Sequence, residues 1–230
     1  MKYRKLALTA IFGLASCRMP GRPAPEARAI RPSEVTDFGV LYAQNCSGCH
    51  GVKGEGGLTV GIGSPIYLAI ADDATIRRVV EAGRPGTAMP AFAREAGGFL
   101  TAAQIEILVH GIRTHWGRVG VFGKDRPPAY ASSEPGDPAR GHSVFKANCA
   151  ACHGPDGRGA RTIADNSFLA LVSDQHLRTV VITGMPHLGM PDWRTHAQPL
   201  SDTDVTDLVG WLVTQRTPLS SQLKRAGGSE

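Results

Sequence analysis

The feature that most constrains this chain is a seven-residue segment that occurs twice, at 45–51 (NCSGCHG) and at 148–154 (NCAACHG). In each copy two cysteines lie three positions apart on one helical turn, and a histidine follows directly. This spacing allows both thiols to add to the vinyl groups of one haem while the imidazole binds its iron. The alternatives are a zinc site and a thioredoxin-type redox pair. Zinc needs a second pair of ligands at the same centre, and the redox motif needs alternating strands and helices, a pattern absent here.

A gapless alignment of residues 79–92 with residues 180–193 brings Met89 into register with Met190. Each methionine lies about 40 residues after its CxxCH histidine. Each begins a Met-Pro pair in a loop rich in glycine and proline. A thioether is the expected sixth ligand of an electron-transfer haem. Met185 competes with Met190 for this position, but it aligns with an arginine, which cannot ligate iron. We therefore predict one histidine and one methionine ligand in each copy.

Both halves resemble small monohaem cytochromes c, and the pair resembles a dihaem cytochrome c over roughly residues 36 to 217. The resemblance implies two covalently bound haem c groups. The predicted attachment residues are Cys46, Cys49, Cys149 and Cys152, and the predicted iron ligands are His50, Met89, His153 and Met190. Tyr67 and Phe168 align with each other and are expected to pack on the haem edges.

The resemblance also suggests how the histidines are oriented. In the family the Nδ1 of the histidine ligand usually donates to the carbonyl of a proline in the following loop. Pro65 is the candidate in the first copy, whereas the aligned residue in the second copy is Asn166.

Other residues near the motifs are assigned supporting roles. Phe92 and Trp193 follow the Met-Pro pairs and are expected to shield the methionine side of each haem, and Arg84 is predicted to reach a haem propionate or to remain solvated. The remaining histidines have no repeat-matched partner and are interpreted as surface or structural residues: His110, His115, His142, His176, His187 and His196.

Helix signals recur in both copies, and no strand pattern of useful length appears, so the predicted fold class is all-α with two tandem lobes. The first helix is expected to begin near Thr36, and its counterpart in the second copy at Asp137-Pro138. The middle helices should end at Gly83 and Gly184. The last helices are expected to begin with capping boxes, Thr101 with Gln104 and Ser201 with Asp204. The predicted domains are a signal peptide (1–16), a tether (17–35), two cytochrome c domains (36–118 and 137–217), a linker (119–136) and a disordered tail (218–230).

The first 16 residues combine a basic start with an apolar run too short to span a bilayer, which is typical of a signal peptide. The segment ends Leu-Ala-Ser-Cys and resembles a bacterial lipobox, which predicts diacylation of Cys17. Ordinary cleavage near Ala15, leaving a free thiol, is the alternative. A diacyl group supplies the two chains that stable attachment requires. We therefore expect an exported protein held on the periplasmic side of a membrane.

The formal charge of +5 overstates the basic character of the mature protein. Three basic residues lie in the predicted signal peptide, which leaves 22 basic and 20 acidic residues. Two haems would add up to about four propionate charges. Nucleic-acid binding therefore gains no support.

These features predict an electron carrier rather than an enzyme, because iron bound on both faces leaves no position for a small-molecule substrate. The family resemblance suggests a quinol-oxidising cytochrome bc-type donor and a terminal oxidase or photosynthetic reaction centre as acceptor, with the chain as shuttle or as subunit. The alternatives are a haem enzyme of the peroxidase or thiosulfate-oxidising type and the electron-accepting subunit of a periplasmic dehydrogenase.

Overall fold

The computed structural model describes residues 29–56, 59–196 and 198–216. Within these ranges the chain is helical, without a strand, and its only bridges are two isolated ones. The predicted all-α class is thus confirmed. The predicted signal peptide, Cys17, most of the tether and the tail at 218–230 lie outside the described residues.

The chain divides into two compact units, Met1–Glu34 and Val35–Glu230. The described part of the first unit contains a short 3₁₀ turn at Pro32–Glu34. Both CxxCH motifs belong to the second unit. None of the helices in the described ranges is long and apolar enough to cross a membrane.

The second unit repeats one order of helices. The first copy contains α1 (Phe38–Asn45), α2 (Ser47–His50), α3 (Pro65–Ile70), α4 (Asp73–Ala82), a 3₁₀ turn (Arg94–Ala96) and α5 (Ala102–Trp116). The second copy contains α6 (Pro138–Asn148), α7 (Ala150–His153), α8 (Asn166–Leu171), α9 (Asp174–Thr183), a 3₁₀ turn (Pro186–Leu188) and α10 (Asp202–Thr214).

Side-chain caps define where these helices begin, because they satisfy the first free N–H groups. Both predicted capping boxes are present, at the starts of α5 and α10. Asp137 caps α6 with proline at the first helical position, and α4 and α9 end at the predicted glycines. The first helix begins at Phe38, two residues later than expected, because Asp37 provides its N-cap. The short helices α3 and α8 were not predicted.

The core of the first copy is formed by α1, α3, α4 and α5. Leu41, Ile105 and Leu108 are fully buried there. The ring of Phe38 packs over Gly111, since a Cβ at that glycine would lie only 2.1 Å from the ring. A large residue on α1 thus meets a glycine on α5.

The core of the second copy inverts this arrangement between α6 and α10. Gly141 lies where a Cβ would come within 1.9 Å of the Asp207 carbonyl oxygen, so the two helices cross with their backbones in contact. Trp211 supplies the missing volume and packs against Phe145, with 4.4 Å between ring centroids. Phe38 aligns with Gly141, and Gly111 aligns with Trp211. The aromatic residue therefore lies on the first helix of the first copy but on the last helix of the second copy, and the glycine lies on the opposite helix each time.

The connection at 119–136, predicted as a linker, contacts both copies. Pro128 is fully buried, and the Ala129 carbonyl accepts a hydrogen bond of 2.9 Å from Arg178 on α9. The Tyr130 hydroxyl accepts a 2.7 Å bond from Arg84, and its carbonyl accepts a 2.6 Å bond from Gln175. Helices α3 and α9 also pack directly against each other. We call residues 119–136 the strap.

Candidate functional site

Each CxxCH segment lies at a break between two helices. Cys46 ends α1 with φ −121° and ψ −38°, and Cys149 ends α6 with φ −122° and ψ −27°. A new helical turn follows at once, and the backbone N–H groups of His50 and His153 donate to the carbonyls of these cysteines at 3.0 Å. The first cysteine of each pair is half-buried and the second is exposed. The break thus directs two thiols and one imidazole from a single turn.

The Nδ1 atom of each motif histidine is held by a backbone carbonyl. In the first copy the Val60 oxygen lies 2.9 Å from Nδ1 of His50, and in the second copy the Arg161 oxygen lies 2.6 Å from Nδ1 of His153. These two carbonyls occupy positions 101 residues apart and are equivalent in the repeat. A protonated Nδ1 leaves Nε2 as the nitrogen that can bind a metal.

The expectation that Pro65 accepts from His50 is wrong. Pro65 instead begins α3, and the aligned Asn166 begins α8. The loop after each motif folds back towards the histidine first, since Gly56 donates to the His50 carbonyl at 2.9 Å. This early return brings residue 60, rather than residue 65, against the imidazole.

Glycine at the end of each motif makes this return possible. Gly51 has φ +80° and Gly154 has φ +81°, a left-handed conformation that other residues rarely adopt. A Cβ at Gly154 would also lie 2.6 Å from the backbone nitrogen of Gly159. The glycine that closes each CxxCHG segment is therefore required by the loop that holds the imidazole.

The second copy encloses a cavity of about 540 Å³, within the range of about 300–1000 Å³ typical of cofactor sites. Its wall contains the residues predicted for the second haem: Cys149, Cys152, His153, Phe168 and Met190. Apolar side chains from several elements complete it: Ile163, Leu177, Val180, Val181 and Leu212. Two thiols, one imidazole and one thioether thus meet in an apolar cavity, which fits a covalently attached porphyrin. The donor set is repeated in the first copy.

The methionine loops of the two copies share one backbone hydrogen bond, to the carbonyl of the predicted methionine ligand. Met185 and Met190 exchange two backbone hydrogen bonds, of 3.0 and 3.1 Å, and the Arg84 N–H donates to the Met89 carbonyl at 3.0 Å. Met185 and Met190 both line the cavity, so the cavity wall alone does not select between them. The repeat register continues to favour Met190, because its equivalent Met89 is the methionine that the first copy offers.

The predicted aromatic residues occupy distinct environments. Phe168 lies in the cavity wall, and Tyr67 is buried with its ring edge against Tyr130, at 6.4 Å between centroids. Trp193 is buried in the second core rather than in the cavity wall, and its indole nitrogen has no hydrogen-bond partner among the described residues. Phe92 packs against Phe99, at 6.2 Å.

Two charged or titratable residues differ from their predicted roles. The Arg84 guanidinium, predicted to reach a haem propionate or to remain solvated, donates a hydrogen bond to the Tyr130 hydroxyl. His176, interpreted as a surface or structural residue, lines the second cavity. Burial, followed by the charge of Arg84 and by His50, lowers the pKa of His176 to about 4. His176 lies one helical turn before Val180 on α9, so the sequence spacing indicates that both side chains face the cavity.

The burial of His50 also lowers its pKa, which keeps the imidazole in the neutral form that binds metals. Within the described ranges, no cluster of three or more His, Cys, Asp and Glu side chains could hold a metal ion.

Comparison with known proteins agrees with this geometry. Residues 33–110 and 136–212 each match the model of the family described as cytochrome c oxidase, cbb3-type, subunit III. The chain belongs to this family. The two matched segments are the two copies of the repeat, so this cytochrome c carries two covalently bound haem c groups, one at each CxxCH motif.

Curated relatives bear names from two respiratory complexes. The cytochrome is 31% identical over 135 residues to the Cbb3-type cytochrome c oxidase subunit CcoP of Azospirillum sp. (strain B510), covering 52% of this chain and 39% of the relative. It is 30% identical over 205 residues to the subunit FixPc of Rhizobium leguminosarum bv. viciae, covering 78% and 60%. It is 25% identical over 183 residues to the cytochrome bc1 complex cytochrome c subunit of Mycobacterium bovis, covering 78% and 64%. The cytochrome therefore spans less than two thirds of each relative.

A solved structure, a chain of the reducing HAO-like protein complex of Kuenenia stuttgartiensis, is 22% identical and has a TM-score of 0.47. The likeness covers 81% of this chain and 99% of that chain. A TM-score this low carries no argument about function.

Proposed function

We propose that this cytochrome transfers electrons between components of a respiratory chain and catalyses no reaction of its own. The observation that carries the proposal is the repeated donor set, with an anchored imidazole in both copies and a methionine loop closed by an equivalent backbone hydrogen bond. When bound, each haem supplies a one-electron couple between ferric and ferrous iron. Iron ligated on both faces has no position free for a substrate.

The residues of the chain divide this task. Cys46, Cys49, Cys149 and Cys152 tether the two haems, His50 and His153 bind iron through Nε2, and Met89 and Met190 supply the sixth ligands. The carbonyls on Nδ1 fix the imidazole orientation and raise its basicity. The mainly apolar wall of the second cavity would disfavour the additional charge of ferric iron in a bound haem. Methionine ligation also favours ferrous iron, so both effects raise the reduction potential of the haem.

The names of the relatives suggest where such a protein works. The relatives are named as subunits of a cbb3-type cytochrome c oxidase and of a cytochrome bc1 complex. We infer a quinol-oxidising complex as donor and a terminal oxidase, or a reaction centre, as acceptor. Small, hydrated contacts are typical of transient electron-transfer pairs.

The proposed location is the periplasmic side of a membrane, reached by export and held by lipid on Cys17. Its support is the lipobox-like sequence that ends at this residue. Mass spectrometry of the mature protein tests it, because a diacylated N-terminal cysteine has a defined added mass. An unmodified N-terminus at another residue would contradict the anchor.

The ligand assignment is tested by replacing each methionine in the purified holoprotein. We expect Met89→Ala and Met190→Ala each to remove half of the methionine–iron charge-transfer band, to lower one of two potentials and to allow carbon monoxide to bind one ferrous haem. Met185→Ala is the matched control, because Met185 lines the same cavity but has an arginine as its repeat equivalent.

Visible spectroscopy and a redox titration read out all three variants. Loss of the band in Met185→Ala but not in Met190→Ala would reverse the assignment. Carbon monoxide binding by the unmodified ferrous protein would contradict the electron-transfer proposal and favour an enzyme.

A further inference from the structure

Thr59 lies beside the imidazole of the first copy. Its hydroxyl oxygen is 2.9 Å from Nδ1 of His50 and 3.5 Å from the Cys49 carbonyl oxygen. The Val60 carbonyl lies at the same 2.9 Å distance from Nδ1. The imidazole of His50 therefore has two oxygen neighbours on its Nδ1 side.

The direction of the bond follows from the metal ligand. With iron on Nε2, Nδ1 carries the proton and donates it to Val60 and to Thr59. The Thr59 hydroxyl proton points to the Cys49 carbonyl instead, so that the hydroxyl oxygen is an acceptor. An additional acceptor increases the electron density that the imidazole gives to iron.

The second copy lacks this contact. The residue equivalent to Thr59 is Ala160, which has no hydroxyl, and His153 meets only the Arg161 carbonyl at Nδ1 among its described contacts. The two copies therefore differ at the residue whose hydroxyl contacts the first imidazole.

Thr59 is also part of the wall of the second cavity, although it belongs to the first copy. It is the one first-copy residue in that wall among the residues that the structure describes. The loop that orients the first imidazole thus closes the second haem site.

We propose that Thr59 is a positioning residue shared by both haem sites: its hydroxyl orients and polarises His50, and its side chain forms part of the second cavity. The inference rests on the proposed histidine ligation. Its consequence is that one side chain adjusts both potentials, the first through a hydrogen bond and the second through packing.

Thr59→Val removes the hydroxyl and keeps the shape of the side chain. We expect the potential of the first haem to rise, because the imidazole loses an acceptor that favours ferric iron. The potential of the second haem should shift less. Thr59→Ser retains the hydroxyl and should keep the first potential near that of the unmodified protein.

Thr162 provides a matched control. It lines the same cavity, but its hydroxyl donates to the Gly159 carbonyl at 2.6 Å rather than contacting an imidazole. Thr162→Val should therefore shift the second potential alone. Ala160→Val adds bulk beside the second motif without removing a hydrogen bond, and it should leave the first potential unchanged.

The experiment is a spectroelectrochemical titration of the purified holoproteins, with each potential assigned by the Met89→Ala and Met190→Ala variants. Hydrogen exchange of the His50 Nδ1 proton, followed by NMR in the diamagnetic ferrous protein, provides a second readout. Exchange should be faster in Thr59→Val than in Thr59→Ser or the unmodified protein.

An unchanged first potential together with unchanged exchange in Thr59→Val would overturn the inference, as would a pattern identical to that of Thr162→Val. The exchange measurement distinguishes this failure from failure of the proposed function, because it requires low-spin ferrous iron ligated by His50 but no redox partner.

Discussion

At the scale of single residues, Asp207 shows how a buried carboxylate holds the second copy together. Its side chain is only 3% exposed, and its Oδ1 accepts a 2.8 Å hydrogen bond from the Asp137 N–H at the start of α6. Its Oδ2 is ion-paired with Arg140, whose side chain is 53% exposed. Both Asp207 oxygens are therefore shielded, and only the Arg140 end of the ion pair is open to solvent.

Replacement of Asp207 separates these two contributions. Asp207→Ala leaves the part-buried Asp137 N–H without its acceptor, and we expect it to lower the free energy of unfolding by about 2 kcal/mol. Asp207→Asn keeps an oxygen for this N–H and loses only the partly exposed ion pair, so it should cost about 1 kcal/mol or less. Chemical denaturation of the holoproteins measures both values. Equal losses in the two variants would show that the ion pair, rather than the backbone bond, is the stabilising contact.

The residues of the site were predictable where spacing along the chain defines the chemistry. The thiols, the motif histidines and the methionines follow from the repeated motifs, and the second cavity brings together the set predicted for its haem. The partner of His50 and the environment of Arg84 were not predictable, because each depends on how a loop folds back. No local sequence pattern predicts that the carbonyl of Val60, rather than that of Pro65, contacts the imidazole.

At the scale of helices, the first and last helices of each copy cross at a glycine, but what packs against that glycine differs between the copies. Where α1 crosses α5, a phenylalanine ring covers Gly111, and where α6 crosses α10 the backbone at Gly141 touches the Asp207 carbonyl. A ring can rotate away from an added methyl group, whereas a helix backbone cannot. The two glycines are therefore not equally sensitive to substitution.

Alanine substitution tests this difference. Gly141→Ala would place its Cβ within 1.9 Å of a backbone oxygen, so α6 and α10 must separate, at a cost of about 3 kcal/mol. Gly111→Ala meets only the half-buried Phe38 ring and should cost about 1 kcal/mol. Thermal unfolding followed by far-UV circular dichroism compares them. A larger loss in Gly111→Ala would contradict the close crossing of α6 and α10.

Helix ends were largely predictable, because caps and terminal glycines are local signals. The short helices α3 and α8 were missed because six residues carry too little periodicity to be recognised. The exchange of glycine and aromatic residue between helices was also hidden, since it appears only when two distant segments are packed together.

At the scale of the whole molecule, the strap makes the two copies into one compact unit. The glycines and prolines of this segment predict a connection between the domains, but they do not indicate which residues it contacts. Tyr130 contacts Tyr67 and Arg84 of the first copy and Gln175 of the second. These contacts are long-range in sequence, and so they could not be inferred from local patterns.

Tyr130→Ala should loosen the strap while leaving both haem sites intact, because the side chain contacts no attachment or ligand residue among its described interactions. We expect a loss of about 2 kcal/mol, from the lost ring packing and the unpaired Arg84 guanidinium, and separate unfolding of the two copies. Tyr130→Phe keeps the ring and should lose about 1 kcal/mol with a single transition. Trypsin provides the measurement, since Lys124 is exposed within the strap and local opening controls cleavage. Faster cleavage in Tyr130→Ala than in Tyr130→Phe, with unchanged haem spectra, would show that this ring holds the two sites in fixed register; equal cleavage rates would assign that role to the packing of α3 on α9 instead.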